Sequence, residues 1–278
     1  MKNIIGPLIL ITILTRFGQS QPPLGYYDRT IGKTGYELKT SLYDIINKHK
    51  KLKYNDLWTA FEKTDTRKDT IIDMYTLPPL NTVANPFYYK YQIDQCGENK
   101  NSKCYNREHS FPASWFGNKK NSPMYTDLFH IYPTDVKINN LRGNVPYDQV
   151  TEQNPPLSQN GSKKGYASTN KILGSDIVVF EPIDKYKGDF ARTYFYMATC
   201  YQDKIAGWAN NGEAKYVLAG NDSTSFQDWY VDLLLDWHKG DPVSEKETKR
   251  NNAVYLIQNN RNPFIDSAQF VTRIWGTD

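Results

Sequence analysis

The sequence predicts an α+β fold, namely a mostly helical single domain with short strands near its middle. Helical spacing of apolar residues dominates both ends of the chain. The segment 104–144 has a shorter pattern, which predicts a strand, a second strand and then a helix. Because no Ser/Gly-rich or Pro-rich linker divides the chain, we expect one domain rather than two.

The first 20 residues are predicted to be a secretory signal peptide. Lys2 supplies a short basic start, and the apolar run that follows is too brief to span a bilayer. Gly18 and Ser20 are the small residues that precede a cleavage site after Ser20. No later segment is apolar enough for a transmembrane helix. Residues 21–278 are therefore expected to form one exported domain, secreted or periplasmic and free of the membrane.

The charge of the exported part excludes a uniformly basic surface. Removal of Lys2 and Arg16 with the signal leaves 32 of the 34 basic residues against 30 acidic ones, a net charge of +2. Positive charge is instead concentrated in short runs: 48–53, 119–120, 163–164 and 246–250. Each run is typical of a solvated face, although runs gathered around a cleft would follow a phosphate backbone. His49, inside the first run, is expected to be exposed.

Two helices and a strand are predicted in the N-terminal third. The first helix, over residues 36–46, places four apolar residues on one face: Leu38, Leu42, Ile45 and Ile46. Residues 55–61 predict a second short helix, and residues 71–75 predict a short strand.

The C-terminal half is predicted to be helical after one short strand at residues 177–180. Four helical segments are expected: 189–203, 226–238, 243–257 and a final turn capped by Asp266. Asn262-Pro263 separates the third of these from the last.

Three cysteines cannot all pair within one chain. Cys96 and Cys104 flank a short polar loop in a chain predicted to be exported, so we expect a disulfide between them. Cys200 lies in a segment of helical apolar spacing, which favours a buried free thiol over a nucleophile.

The irregular middle of the chain holds the residues of chemical interest. A strand is predicted over residues 105–111, a turn-rich loop over 117–123 and a returning strand over 127–132. Pro133-Thr134-Asp135 marks the start of a helix.

Glu108, His109 and Asn139 are the candidate catalytic and metal-binding residues. An imidazole, with an ordinary pKa of about 6.5, can deprotonate water near neutral pH. A carboxylate and an amide oxygen together can hold a magnesium or calcium ion. Adjacent side chains leave opposite faces of a regular strand, so Glu108 and His109 serve one site only if the strand twists or bulges there.

Three ordered motifs in this region carry a resemblance: Asn106-Arg-Glu-His-Ser-Phe-Pro112, Tyr125-Thr-Asp-Leu-Phe-His-Ile-Tyr-Pro-Thr-Asp135 and Asn139-Asn-Leu-Arg-Gly-Asn144. They resemble the endonuclease I family, secreted or periplasmic nonspecific nucleases of the His-Me finger, or ββα-metal, superfamily. Segments 241–255 and 257–266 also look like that family's C-terminal helices. The resemblance covers nearly the whole exported part.

The resemblance implies a ββα-metal core and a metal-dependent nonspecific endonuclease acting on DNA, with RNA left open. His109 would be the general base, and Glu108 and Asn139 would be the protein ligands of one divalent cation. Mg²⁺ is the expected cation, with Ca²⁺ and Mn²⁺ as alternatives. The products would carry 5′-phosphate and 3′-hydroxyl ends. Nucleic acid is the expected partner, and no obligate protein partner is evident.

The chain departs from the family pattern between its outer motifs. Better-known periplasmic relatives carry there a longer loop with a phosphate-contacting arginine, whereas residues 117–123 contain no Arg. Lys119, Lys120 and Arg142 are candidates for that role, and Arg142 is equally well explained as a salt-bridge donor beside a helix end at Gly143.

Two further residues are expected to support the site. Phe129 stands where many relatives have the first of two adjacent histidines, so His130 is expected to brace the site through a hydrogen bond. Arg250 is left open between packing and contact with the nucleic-acid backbone.

Two other functions stay open at the level of the sequence. A zinc hydrolase of another substrate would draw ligands from four residues: Glu108, His109, Asp127 and His130. The absence of a His-Glu-x-x-His element disfavours it. An exported aromatic-rich module could also bind nucleic acid or glycan without catalysis, but the intact Glu108, His109 and Asn139 set disfavours loss of activity.

Overall fold

A computed structural model describes residues 21–76, 88–97, 103–151, 161–167 and 177–276, so the predicted signal segment 1–20 lies outside the described residues. Within them the helices are α1 Gly35–Ile46, α2 Asp56–Thr64, α3 Val136–Arg142, α4 Lys187–Cys200, α5 Gln202–Ile205, α6 Asp228–Gly240, α7 Glu245–Gln258, α8 Pro263–Asp266 and α9 Gln269–Trp275. The strands are β1 Thr66–Arg67, β2 Thr70–Ile71, β3 Tyr105–His109, β4 Ile131–Asp135, β5 Lys163–Tyr166 and β6 Val178–Glu181. The predicted α+β class and single domain are confirmed.

The strands form three antiparallel pairs, β1 with β2, β3 with β4, and β5 with β6. The pair β3–β4 is followed at once by α3, which confirms the predicted order of strand, strand and helix. None of the helices in the described ranges has both the length and the apolar composition needed to cross a membrane.

Helix α4 is the centre of the core. All its residues after Lys187 are buried, and it packs against α6 and α1. Its aromatic side chains contact rings from distant elements: Tyr194 lies 5.3 Å from Phe111, and Phe190 lies 5.8 Å from Tyr132, between ring centroids. The core therefore extends directly beneath the β3–β4 pair.

Buried ion pairs fasten the C-terminal helices to this core. Arg192 of α4 donates two hydrogen bonds, of 2.5 and 2.9 Å, to Glu247 of α7. The same Glu247 closes the N-terminal capping box of α7 with Ser244. Charged groups without water need such partners, so these pairs fix where α7 can dock.

Several predicted boundaries were wrong. The strand predicted over 105–111 ends at His109, and the returning strand predicted over 127–132 lies at Ile131–Asp135, so α3 begins only at Val136. The strand predicted over 71–75 ends at Ile71, because the Asp73 carboxylate accepts a hydrogen bond from the Tyr75 amide and so forms a turn. The helix predicted over 189–203 breaks at Tyr201, whose φ of −119° is not helical. Asp266 does not cap the last helix but ends α8, where its carboxylate pairs with Arg261 at 2.6 Å.

The disulfide between Cys96 and Cys104 is confirmed, and Cys200 is a buried free cysteine as expected. Burial raises the pKa of the Cys200 thiol well above its ordinary value, so this group stays a neutral thiol. The bridge joins the start of β3 to a segment that already pairs with it, since the Cys96 amide donates to the Tyr105 carbonyl at 3.0 Å.

We expect reduction of the protein to lower its free energy of unfolding by about 2–3 kcal/mol, the loop-closure value for so short a loop. Denaturant unfolding with and without reductant measures the change. The Cys96→Ser/Cys104→Ser double variant should be equally destabilised and indifferent to reductant. An unchanged unfolding midpoint in the reduced wild type would contradict a stabilising role for the bridge.

Candidate active site

Strands β3 and β4 pair in regular register through the candidate residues. Glu108 faces Tyr132 and His109 faces Ile131, with no extra residue on either strand. A twist or bulge was expected in β3, because only then would the adjacent side chains of Glu108 and His109 reach one site. The register of β3 with β4 contains no bulge. Glu108 and His109 therefore leave opposite faces of the pair.

The outer edge of β3 resolves this difficulty. Pro133 of β4 has no amide hydrogen, so Pro133 and its partner Arg107 form a non-hydrogen-bonded pair of the antiparallel ladder. The two kinds of pair alternate along the strands, so His109, two residues later, is also in a non-hydrogen-bonded pair. The carbonyls of Arg107 and His109 therefore point away from β4. Helix α3 lies along that edge, because Asn139 Nδ2 is 3.5 Å from the Arg107 carbonyl and Arg142 Nη1 is 3.1 Å from the His109 carbonyl. Side chains from both faces of β3 can meet α3 there.

Local sequence signals set the two ends of α3. The Asp135 side chain accepts hydrogen bonds from the Lys137 and Ile138 amides at 2.8 and 2.9 Å, as an N-cap does. Gly143 ends the helix with a φ of +61°, a conformation that glycine adopts without strain. Asn139 and Arg142 are three residues apart and thus share the face that meets β3.

Glu108 is buried with one oxygen engaged and one open. Its Oε1 accepts hydrogen bonds from the Tyr75 hydroxyl at 2.7 Å and from Arg142 Nη1 at 3.1 Å. Within the described part of the chain Oε2 makes no hydrogen bond. Burial raises the pKa of Glu108 to about 7, although Arg142 and Tyr75 act in the opposite direction. A cation at Oε2 would favour the ionised form.

Arg142 is the buried partner that turns Glu108 toward the strand edge. Its Nη1 donates to both Glu108 and the His109 carbonyl, and its Nη2 donates to the Ser110 carbonyl at 2.7 Å. The guanidinium also lies 4.7 Å from the ring centroid of Tyr147. It is 1% exposed, so Arg142 supports the site from behind and presents nothing to a phosphate at the surface.

Asn139 completes an oxygen donor set. Because its amide nitrogen faces the Arg107 carbonyl, its amide oxygen is turned away from the strand, and the residue as a whole is half-buried. The open Glu108 oxygen and this amide oxygen are hard ligands of the kind that magnesium and calcium prefer. These residues therefore fit a divalent cation of that class, with waters and a phosphate oxygen as its remaining ligands.

His109 is held as a neutral imidazole, and its Nδ1 makes no hydrogen bond within the described residues. Its Nε2 lies 3.0 Å from the Tyr125 carbonyl, which can only accept, so Nε2 carries the hydrogen and Nδ1 keeps its lone pair. Burial lowers the pKa of His109 to about 3, and His130 and Arg107 add to the effect. The ring stacks on Tyr54 at 6.2 Å between centroids. A neutral, oriented imidazole can accept a proton from water.

Comparison with known proteins identifies the family of the chain. The family described as Endonuclease I matches residues 34–269. The chain belongs to the endonuclease I family. It is therefore an endonuclease, and membership also suggests a divalent metal ion as its cofactor.

Curated relatives carry two names. The protein named Extracellular ribonuclease of Bacillus subtilis (strain 168) is 34% identical over 263 residues, covering 90% of this chain and 78% of the relative. The protein of the same name from Bacillus amyloliquefaciens is 33% identical over 261 residues, with the same coverage. Endonuclease-1 of Buchnera aphidicola subsp. Baizongia pistaciae (strain Bp) is 27% identical over 197 residues, covering 63% of this chain and 69% of the relative.

His130 of the endonuclease braces the turn that orients His109. The turn spans Pro123–Thr126, and His130 Nε2 is 2.6 Å from the Met124 carbonyl, next to the carbonyl that holds His109. The two imidazole rings are 5.5 Å apart. The structure thus places His130 behind the turn that holds His109.

His49 was expected to be exposed, and this was wrong. Its side chain is 1% exposed, because Nε2 contacts the Tyr201 hydroxyl at 2.9 Å and the Asp127 carboxylate at 3.5 Å. Burial opposes ionisation of Asp127, yet His49, His130 and Gln258 outweigh burial and lower its pKa. His49, Asp127 and Cys200 have donor atoms within 4.8 Å of one another, the one such metal-sized group in the described ranges.

This group serves the fold through hydrogen bonds. Both oxygens of Asp127 are occupied, one by the hydroxyls of Tyr196 and Tyr201 and the other by Gln258 and the Phe129 amide. The zinc ligands considered from the sequence, Glu108, His109, Asp127 and His130, do not form a metal-sized group in the described part of the endonuclease.

The remaining candidate residues lie in two different environments. Lys119 and Lys120 are exposed on the loop after the short helical turn Ala113–Phe116. Arg250 is buried, and its guanidinium pairs with Asp65 at 2.8 Å and donates to the Ile131 carbonyl at 3.0 Å. Arg250 therefore packs against β4 and does not reach the surface.

Three tyrosines that contact the site residues were not predicted from the sequence: Tyr75 contacts Glu108, and Tyr54 and Tyr125 contact His109. Tyr75 and Glu108 are 33 positions apart, and Tyr54 lies 55 positions before His109. Tyrosines are common throughout this chain, and no local pattern distinguishes these three from the rest.

We expect Arg142→Met to lower the free energy of unfolding by about 3–5 kcal/mol, because it removes the charge that pairs with Glu108 and a buried donor to two carbonyls. Denaturant unfolding measures the loss. Adding Glu108→Gln should make the double variant less destabilised than the sum of the single ones. Arg67→Met, at an exposed arginine of β1, is the control. A loss below about 1 kcal/mol would refute the central structural role of Arg142.

Proposed function

We propose that the protein is a secreted, metal-dependent, sequence-nonspecific endonuclease that hydrolyses phosphodiester bonds of DNA and RNA. The observation that carries the proposal is the neutral His109 imidazole, whose Nε2 is fixed by Tyr125 while Nδ1 is free, at the strand edge that Glu108 and Asn139 approach. This arrangement supports attack by water on a phosphate.

Each residue has a distinct role in the proposal. His109 accepts a proton from the attacking water through Nδ1. Glu108 and Asn139 hold one divalent cation, with Mg²⁺ the expected ion. When bound, this ion would stabilise the charge that develops on the phosphate and on the departing 3′ oxygen. Arg142 keeps one Glu108 oxygen engaged, so that the other faces the ion.

Hydrolysis by water predicts the same ends on both polymers. The attacking oxygen comes from water rather than from a ribose hydroxyl, so DNA and RNA products should both carry 5′-phosphate and 3′-hydroxyl ends. The relatives named Extracellular ribonuclease support RNA as a substrate, and those named Endonuclease-1 leave DNA equally open.

A basic surface beside the site supports binding of the nucleic-acid backbone. Lys51 Nζ donates to the Asn121 carbonyl at 2.6 Å and so joins the basic run 48–53 to the loop that carries Lys119 and Lys120. The lysines of both runs are exposed, and the first run ends next to Tyr54, whose ring stacks on His109. Charge of this kind binds phosphates without reading base sequence.

Export is proposed from three observations. The segment 1–20 has the pattern of a signal peptide cleaved after Ser20. Cys96 and Cys104 form a disulfide, which is typical of oxidising compartments. Two relatives are named as extracellular proteins.

The deciding experiment incubates the purified protein with plasmid DNA and with a single RNA, each with magnesium and with magnesium plus excess chelator. We expect both polymers to be cut only when the metal is free, and end-group analysis to find 5′-phosphates. RNA products ending in 2′,3′-cyclic phosphate would contradict attack by water, and cleavage that survives the chelator would contradict the metal.

We expect His109→Ala to lower the cleavage rate by about 10²–10⁴, the usual contribution of a positioned base. Binding of DNA in chelator and the unfolding midpoint should change little. His238→Gln, on α6, serves as a matched loss of a histidine elsewhere and should keep its activity. A folded His109→Ala protein with near wild-type turnover would remove His109 from the mechanism.

Asn139→Ala should sharply raise the magnesium concentration that gives half-maximal cleavage, because it removes one of two protein ligands. Asn139→Asp keeps an oxygen and adds charge, so it should retain metal binding with altered strength. The neighbouring Asn140 is exposed, and Asn140→Ala is the matched control. If the folded Asn139→Ala protein has the wild-type magnesium requirement, the one-metal assignment is wrong.

A further inference from the structure

Arg107 has no carboxylate partner, unlike the buried arginines of the described chain. Those arginines each form an ion pair: Arg142 with Glu108, Arg192 with Glu247, Arg250 with Asp65 and Arg261 with Asp266. No ion pair joins Arg107 to any carboxylate in the described ranges. A half-buried guanidinium without a carboxylate partner is suited to bind an external anion.

Aromatic rings hold the Arg107 guanidinium in one place. Its central carbon lies 3.7 Å from the ring centroid of Tyr54 and 4.2 Å from that of Trp58. Its Nη1 donates a hydrogen bond to the Tyr54 carbonyl at 2.9 Å. A planar group fixed in this way loses little further freedom when it binds a ligand.

One terminal nitrogen of the guanidinium, Nη2, still has N–H groups to offer to a ligand. Nε is buried with no partner, and Nη2 makes no hydrogen bond in the described part of the chain and is not buried. The segment that covers Arg107 carries the exposed residues Lys51 and Lys53, so the surroundings favour an anion further.

Arg107 lies on the same face of β3 as His109, two residues earlier. This spacing puts the two residues about 7 Å apart along the strand. Tyr54 contacts both side chains, so the guanidinium and the imidazole line one wall of the same surface.

We propose that Arg107 binds a phosphate that flanks the scissile bond on the same nucleic-acid strand, and so sets the register of the strand over His109. The proposal rests on the proposed nuclease function. The free edge of the guanidinium presents N–H groups that match phosphate oxygens. Recognition of the phosphate alone positions a strand without selecting its sequence.

The first test needs no variant. A single-stranded DNA with one preferred cleavage position is prepared with an uncharged methylphosphonate at each flanking phosphate in turn. We expect one flanking position to lower binding in chelator and kcat/KM in magnesium by about 10- to 100-fold, the range for a hydrogen bond to a charged group. Equal cleavage and binding of all the substituted strands would overturn the proposal.

The second test links that position to Arg107. Arg107→Met should lower affinity for the unmodified strand by the same factor. The slope of log K against log salt should become less steep by about 0.7, the value for one lost phosphate contact on a single strand. The methylphosphonate that weakens binding to the wild type should not weaken binding to this variant further. Arg107→Lys keeps the charge but not the fork, so its loss should be smaller. Arg29→Met, at an exposed arginine outside the site, is the matched control.

The outcomes separate the two proposals. A wild type that cuts neither DNA nor RNA refutes the nuclease function. In an active wild type, a folded Arg107→Met protein with unchanged affinity and salt dependence refutes the role of Arg107 alone. If Arg107→Met does not fold, the methylphosphonate series and Arg107→Lys decide the question, because Arg107→Lys retains the stacking stem and the charge.

Discussion

The candidate site depends on one buried positive charge, the guanidinium of Arg142. A charge without water must find anions and carbonyls, and Arg142 finds them on three consecutive residues, Glu108, His109 and Ser110. These partners are in reach only when α3 lies along the outer edge of β3. The same placement brings Asn139, one helical turn earlier, to that edge. The need of the Arg142 charge for these partners thus fixes the relative positions of the residues proposed for catalysis.

Features that local sequence encodes were predictable. The order of strand, strand and helix follows from Pro133-Thr134-Asp135 before α3 and from Gly143 after it. An N-cap, and a glycine with positive φ at the end of a helix, depend only on residues that are close in sequence. The disulfide between Cys96 and Cys104 was predictable for the same reason. The family's motifs then pointed to Glu108, His109 and Asn139 as site residues.

Features that arise between distant segments were not predictable. His49 lies between exposed lysines, yet its ring is buried because it contacts the carboxylate of Asp127, 78 positions later. The opposed directions of Glu108 and His109 argued against a shared site as long as β3 was treated as an isolated strand. Only the pairing with Pro133 showed that the carbonyls of Arg107 and His109 face outward, where α3 meets them.

The cover that α3 gives to β3 also bears on solubility. An uncovered strand edge exposes carbonyl and amide groups that can pair with another copy of the chain, which is a common route to aggregation. Here side chains of α3 satisfy two of those carbonyls, and the segment that ends at Cys96 pairs with Tyr105 before them. The outer edge of β3 is thereby covered against pairing with a strand of another molecule.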